Sequence, residues 1–285
     1  MQSSLHPSAL LEPFTPAMAA RAGIGRSALE RLLRQGRIIR VLRGVYLDAE
    51  VDPDRSLRAR ALALVVGRRH LVVDRTAAWV HGGERIEPAA RTAVPLDLHG
   101  RRRHLGGELP LGPQDVVRLG PVRVTSPLRT ALDVARRLAP DRALAALDGM
   151  LRSGSLEHRR LLAAAGSLLG QPGATQGREL IAMADARAVD GAESVLRLCW
   201  LNARMPTPVP GLVVNGHRLA LALPTQRFAV SLEDVPAFVD WPAQEWRVLA
   251  LDRGRVLAGD RGYLSEHLER EFHQHLLSAV HGLNV

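Results

Sequence analysis

The sequence predicts an α+β, multidomain chain, and three observations carry that prediction. An N-terminal stretch reads as two short helices and a two-stranded ribbon. Short alternating apolar runs recur between helical stripes through the rest, and a Gly/Pro/Gln stretch at 170–177 (GQPGATQG) interrupts the pattern. At 285 residues, 46% of them hydrophobic, the chain is long enough for two or three compact units. The division expected is 1–50, then a mixed α/β middle unit at 51–170, a linker at 171–177 and a C-terminal α/β unit at 178–285.

The N-terminal stretch is marked by its punctuation. Thr15-Pro16 starts a helix at 16–22: the hydroxyl caps free N–H groups, and a proline in the first turn loses nothing by lacking one. Gly23 and Gly25 bracket a turn. From Arg26 the apolar residues Leu29, Leu32 and Leu33 recur at helical spacing, so Arg26, Ser27, Glu30, Arg31 and Arg34 fall on the outer face. Gly36 ends this helix, 38–42 and 45–47 can pair as a ribbon, and Arg43-Gly44 turns between them. Two helices about a tight turn, followed by a ribbon, are the pattern of a winged helix-turn-helix.

Residues 14–47 hold seven arginines against one acid. Arg26, Ser27, Arg31 and Arg34 would form the reading surface of a duplex binder, and Arg37, Arg40 and Arg43 would line its wing. Each arginine that neutralises a phosphate releases condensed counterions, and a guanidinium can also read the edge of guanine in the major groove. The competing reading is a solvated basic hairpin, or a winged helix that binds protein.

All 38 basic residues are arginine. The lack of lysine excludes phosphate-loop ATPases, Schiff-base chemistry and lysine-nucleophile nucleotidyl transfer. A single cysteine, Cys199, excludes an internal disulfide and a thiolate zinc site, and lies in an apolar helical pattern as a small hydrophobe. No apolar run is long enough to cross a bilayer and the first residues lack a secretory pattern, so the expected location is the cytoplasm. Charge is uneven: residues 1–189 carry 29 Arg and 18 acids, residues 190–285 carry 9 Arg and 11 acids. Nucleic acid, if bound, is expected at the N-terminal part.

Along the middle of the chain, 56–66 reads as a helix capped by Ser56, and Asp74 caps a second one in DRTAAWVHG, with Trp79 and His81 as core and cap residues. Strands are expected at 92–98, 116–119 and 122–125. Ser126-Pro127 opens a helix whose Leu128, Ala131, Leu132, Ala135 and Leu138 form one apolar stripe, and helices follow at 141–152 and 155–169. Beyond the interruption, helices are expected at 178–188 and 193–203. Strands then follow at 212–214, 218–223, 227–232, 246–251 and 255–258, with a closing helix at 265–280.

The order of RGVY, DRTAAWVHG and VTSPLRTALDVAR resembles the AbiEi family of type IV toxin–antitoxin antitoxins over about residues 14–169. The resemblance implies an N-terminal DNA-binding domain that represses its own promoter, and a following domain that counteracts a nucleotidyltransferase-type toxin. The C-terminal third is similar to another module, the restriction-endonuclease-like domain of very-short-patch repair nucleases, through AESVLRL, RLALALPTQRFAVSLED and EWRVLAL. That family places metal-holding acids at positions that here read Ala220 and Ser231, with Glu233 alone keeping a carboxylate. Magnesium is gripped by several carboxylate oxygens, so the resemblance implies a degenerate site without metal. A rearranged site from Glu193, Glu233 and Asp234 is the alternative.

Three further constellations are weighed. His267, Glu271 and His275 share a helix face at zinc spacing, but the adjacent apolar stripe makes that face ordinary wet surface. The basic loop at 99–104 (HGRRRH) is equally a phosphate contact or a solvated turn. Ser126 is a helix cap, with no base near it in sequence. The function expected is a non-catalytic DNA-binding transcriptional regulator of the AbiEi antitoxin type without a cofactor. Its partners would be duplex DNA, a cognate toxin and, on a palindromic site, a second copy of itself. A metal-dependent endonuclease and an antitoxin acting by protein contact alone are the alternatives.

Overall fold

The computed structural model describes residues 12–84, 86, 94, 96–99, 111–232 and 246–282 as a mixed α/β, multidomain chain. Helices α1 (Pro16–Arg21) and α2 (Arg26–Arg34) lead into the hairpin β1 (Ile38–Leu42) and β2 (Val45–Asp48). Thr15 Oγ1 accepts from the Met18 N–H at 3.3 Å, which starts α1 where the sequence places it. Gly36, at φ +69, closes α2: its N–H donates to Leu33 O at 3.2 Å and that of Arg37 to Leu32 O at 3.0 Å. Phe14, Ala19, Leu29, Ile38 and Tyr46 form a small core under these elements. The other side of the hairpin, Val41, Leu42, Val45 and Leu47, enters a second core.

That second core joins the hairpin to α3 (Arg55–Ala63), α4 (Asp74–Val80) and one face of a four-stranded sheet. The strands are β3 (Leu71–Val72), β4 (Leu98–His99), β5 (Val116–Leu119) and β6 (Val122–Thr125), in the order β4-β3-β6-β5. β3 and β6 run parallel, the other pairs antiparallel. Of the strand expected at 92–98, residues 92, 93 and 95 lie outside the described residues; Val94 bridges to Leu42, and the strand begins at Leu98. Two caps fall elsewhere. Asp54, not Ser56, starts α3, accepting from the Leu57 N–H at 2.7 Å. Val73 is the cap residue of α4, and Asp74 lies inside its first turn at φ +49 with Arg137 3.5 Å from its carboxylate.

A helical layer follows: α5 (Pro127–Arg137), α6 (Pro140–Arg152), α7 (His158–Ala164) and α8 (Ala174–Met183). Ala131, Val134, Leu144, Leu147, Leu161, Leu180 and Ile181 share its core, and the stripe expected on α5 packs there. The helix expected at 155–169 is shorter and passes into a 3-10 turn at Ala165–Leu168. The stretch expected to be a linker is helical from Ala174 on. Its glycines allow close packing: a Cβ at Gly173 would meet Arg136 O at 2.1 Å, and one at Gly177 would meet Leu168 Cδ1 at 2.8 Å.

The C-terminal third comprises α9 (Gly191–Asn202), β7 (Val209–Val214), β8 (His217–Leu223), β9 (Phe228–Ser231), β10 (Arg247–Ala250), α10 (Arg253–Ala258) and α11 (Arg261–Gly282). Its sheet has the order β10-β9-β8-β7, with only β9 and β10 parallel. Val195, Leu196, Cys199 and Trp200 of α9 pack with Leu221, Phe228 and Val230 of the sheet and Leu268 and Phe272 of α11. Residues 255–258 are helix rather than the expected strand, because the Asp252 carboxylate caps α10 by accepting from the Arg255 N–H at 2.7 Å. α11 likewise starts before Ser265, since Asp260 Oδ1 accepts from the Tyr263 N–H at 2.9 Å.

Candidate nucleic-acid interface

The N-terminal arginines are displayed by the two cores beneath them. Leu29 is buried and Leu32 and Leu33 partly so, which turns Arg26, Ser27, Glu30, Arg31 and Arg34 outward, all of them exposed. The hairpin holds Arg37, Arg40 and Arg43 exposed while its apolar residues serve the cores on both sides. Gly44, at φ +79, makes the turn after Arg43.

Two of the seven have side-chain partners. Arg26 Nε lies 3.1 Å from Glu30 Oε1, with both side chains largely in water (92% and 60% exposed), a pair that contributes little and dissociates easily. Arg40 stacks over the Tyr46 ring at 5.4 Å and donates to its hydroxyl at 3.2 Å. Tyr46 in turn stacks on Phe14 at 5.9 Å, so the Arg40 stem is held in place with its charge uncancelled. Arg21, Arg31, Arg34, Arg37 and Arg43 make no side-chain hydrogen bond or ion pair with the described residues. Arg31 and Arg34 also sit in the last turn of α2, where the helix dipole favours a cation.

The residual acids of the C-terminal third are held differently. Glu193, 2% exposed, takes both guanidinium nitrogens of Arg218 on its carboxylate, one at 2.9 Å, and also accepts from the Val189 N–H at 3.0 Å. Asp190 caps α9 and pairs with Arg253. Ala220 and Ser231 are buried, and Glu233 and Asp234 lie outside the described residues. A divalent ion at Glu193 would have to displace Arg218. His267, Glu271 and His275 are each engaged separately: with Arg270 at 2.9 Å, with Arg247 at 2.9 Å and with Gln226 O at 2.7 Å. Among the described residues no three of His, Cys, Asp and Glu are grouped to hold a metal ion. No helix among them is long and apolar enough to cross a membrane.

Residues 10–47 match the family model of a transcriptional regulator, AbiEi antitoxin, and residues 70–183 match the AbiEi antitoxin C-terminal domain. These matches support the AbiEi antitoxin family. The second AbiEi segment runs through α8, past the Gly/Pro/Gln stretch, and ends before α9. Two curated proteins of Mycobacterium tuberculosis, Uncharacterized protein MT2308 and Uncharacterized protein Rv2248, are each 29% identical over 229 residues, 74% of this chain and 79% of theirs. No solved structure matches the chain.

Some interacting residues were not legible in the sequence. The buried pair of Asp148 on α6 and Arg197 on α9 lies 2.5 Å apart, and Asp148 also accepts from Ser194 Oγ at 2.6 Å and the Asp185 N–H at 2.8 Å. Burial pushes the Asp148 pKa up against the pull of Arg197. Nothing local in sequence announces a partner 49 residues away. A second group, Arg68, Arg69, Arg118 and Arg123, is exposed on the middle unit. The signal for Arg118 and Arg123 was their symmetry about the Gly120-Pro121 turn.

Proposed function

We propose that this protein binds double-stranded DNA through a winged helix-turn-helix at its N-terminus, represses transcription from its own upstream region, and serves as an AbiEi-type antitoxin without catalysing a reaction. Arg26, Ser27, Arg31 and Arg34 enter the major groove, and Arg37, Arg40 and Arg43 grip phosphate. The middle unit meets a nucleotidyltransferase-type toxin. The observation that carries the DNA reading is the display of these arginines on a short, internally packed unit, with five of its seven having no side-chain partner among the described residues. The description of the family model matched by residues 10–47 supports the regulatory role.

The test is an electrophoretic mobility shift on the protein's own upstream region. The wild type should retain that fragment in preference to a scrambled duplex. If about four to six phosphates are neutralised, affinity should fall by two or more powers of ten between 50 and 200 mM salt. Arg31→Ala/Arg34→Ala should lose the specific retention while melting at the wild-type temperature. Unchanged retention by that variant overturns the reading.

A further inference from the structure

We propose that Arg68, Arg69, Arg118 and Arg123 form a second nucleic-acid contact, a face of the middle sheet that grips the phosphate backbone of a duplex without reading bases. Arg118 on β5 stands directly opposite Arg123 on β6, and Arg123 is paired in register with Leu71 on β3, so these three side chains share one face. Leu71 packs there with Val73, Leu111 and Val116, in a small core separate from the one shared with α3, α4 and the hairpin. The face is therefore the one turned away from the hairpin. β3 and β6 are parallel, so Arg68 and Arg69, which lead into β3, arrive at the end of the sheet where the β5–β6 turn also lies.

All four side chains are exposed, and none makes a hydrogen bond or ion pair with the described residues. Four other arginines of the same unit are neutralised, Arg75 by Asp97, Arg129 and Arg136 by Asp133 and Arg152 by Glu84, whereas Arg55, Arg159 and Arg160 are exposed like these but lie on helices rather than on the β5–β6 pair. Like charges directly opposite on neighbouring strands repel and weaken a sheet. A phosphate between them turns that repulsion into attraction, and arginine's fork fits its oxygens. Exposed neighbours at this end are Gly67, Gly120 and Pro121, not the apolar centre that a protein partner would bury. The basic loop at 101–104 follows β4 in sequence and lies outside the described residues.

This inference rests on the nucleic-acid reading for its ligand, but not on α2. The full chain is titrated by fluorescence anisotropy with two duplexes of equal length, the upstream region and a scramble of it, over a series of salt concentrations. Arg68→Gln/Arg69→Gln/Arg118→Gln/Arg123→Gln should weaken binding to both duplexes by a common factor. It should also lower the slope of log affinity against log salt by about three to four, and leave the preference between duplexes intact. Arg118→Lys/Arg123→Lys, which keeps the charges, should hold the wild-type slope. An unchanged slope in the quadruple variant overturns the proposal, and does so in favour of an acidic protein ligand if that variant loses binding to polyglutamate instead. Should the wild type show no preference for the upstream duplex while the quadruple variant still loses salt-dependent affinity, the proposed function fails and this face stands. Should the wild type bind neither duplex, both fail.

Discussion

The His81 imidazole is fully buried at the end of α4, its Nε2–H donating to Thr125 O at 2.7 Å. Burial pushes its pKa down to about 4 from 6.5, outweighing the carbonyl bond, which favours the charged ring. Above pH 6.5 the ring is neutral in folded and unfolded chains alike and titration takes nothing from stability. Between 6.5 and about 4 the unfolded chain binds the proton and the folded one does not, so stability falls as pH drops, by about 3 kcal/mol over that window. Chemical denaturation of the wild type and His81→Gln at pH 7 and pH 4.5 should show a smaller pH loss in the variant, and equal losses would contradict this account. The placement of His81 and Trp79 inside was legible, because an alanine-rich helical string leaves its large residues to pack. The exposure of Arg31 and Arg34 was legible for the converse reason, since Leu29, Leu32 and Leu33 commit the other face of α2. The pairing of Glu193 with Arg218 was not, because residues 25 apart meet only once the sheet is in place.

Helix boundaries were read best where a local hydrogen bond sets them. Thr15 and Ser126 cap α1 and α5 as their sequences suggest, since hydroxyl, proline and the first turn lie within a few residues. Ser56 misled because Asp54, two residues earlier, is the stronger acceptor, while the Ser56 hydroxyl accepts from Arg60 at 2.7 Å. α10 was mistaken for a strand because its six residues show no helical period, and its sign is the Asp252 cap alone. The Gly/Pro/Gln stretch, read from sequence as a joint, is helical from Ala174 on, and glycine there signals close approach as well as freedom. At Gly173 it is close approach, with φ +77 and Arg136 O in the way of any side chain. Gly173→Ala should destabilise the protein by about 2 kcal/mol or more, combining left-handed strain with a backbone clash. Gly166→Ala, where a Cβ meets nothing within 4 Å, is the control and should leave the melting temperature within a degree or two.

Across the whole molecule, α9 is buried between α6 and the C-terminal sheet, and the Asp148–Arg197 pair crosses that boundary with both side chains 5% exposed or less. Between them in sequence, the Gly/Pro/Gln stretch at 170–177 suggests separable blocks. Packing makes α6 and α9 one unit, because removing either leaves a buried charge unmatched. Arg197→Met should destabilise by about 3–5 kcal/mol, the penalty for an orphaned buried carboxylate. Hydrogen exchange should show protection in α6 and α9 falling together, whereas loss confined to α9 would mean the two halves open independently. At the other end, β1 and β2 lend side chains to the cores on both sides of them. The amino-terminal cations therefore move with the body as a stiff lever. On the proposed function, a duplex seated there would set the heading of the entire protein, and whatever approaches the distal surface would meet it at an angle fixed by that duplex.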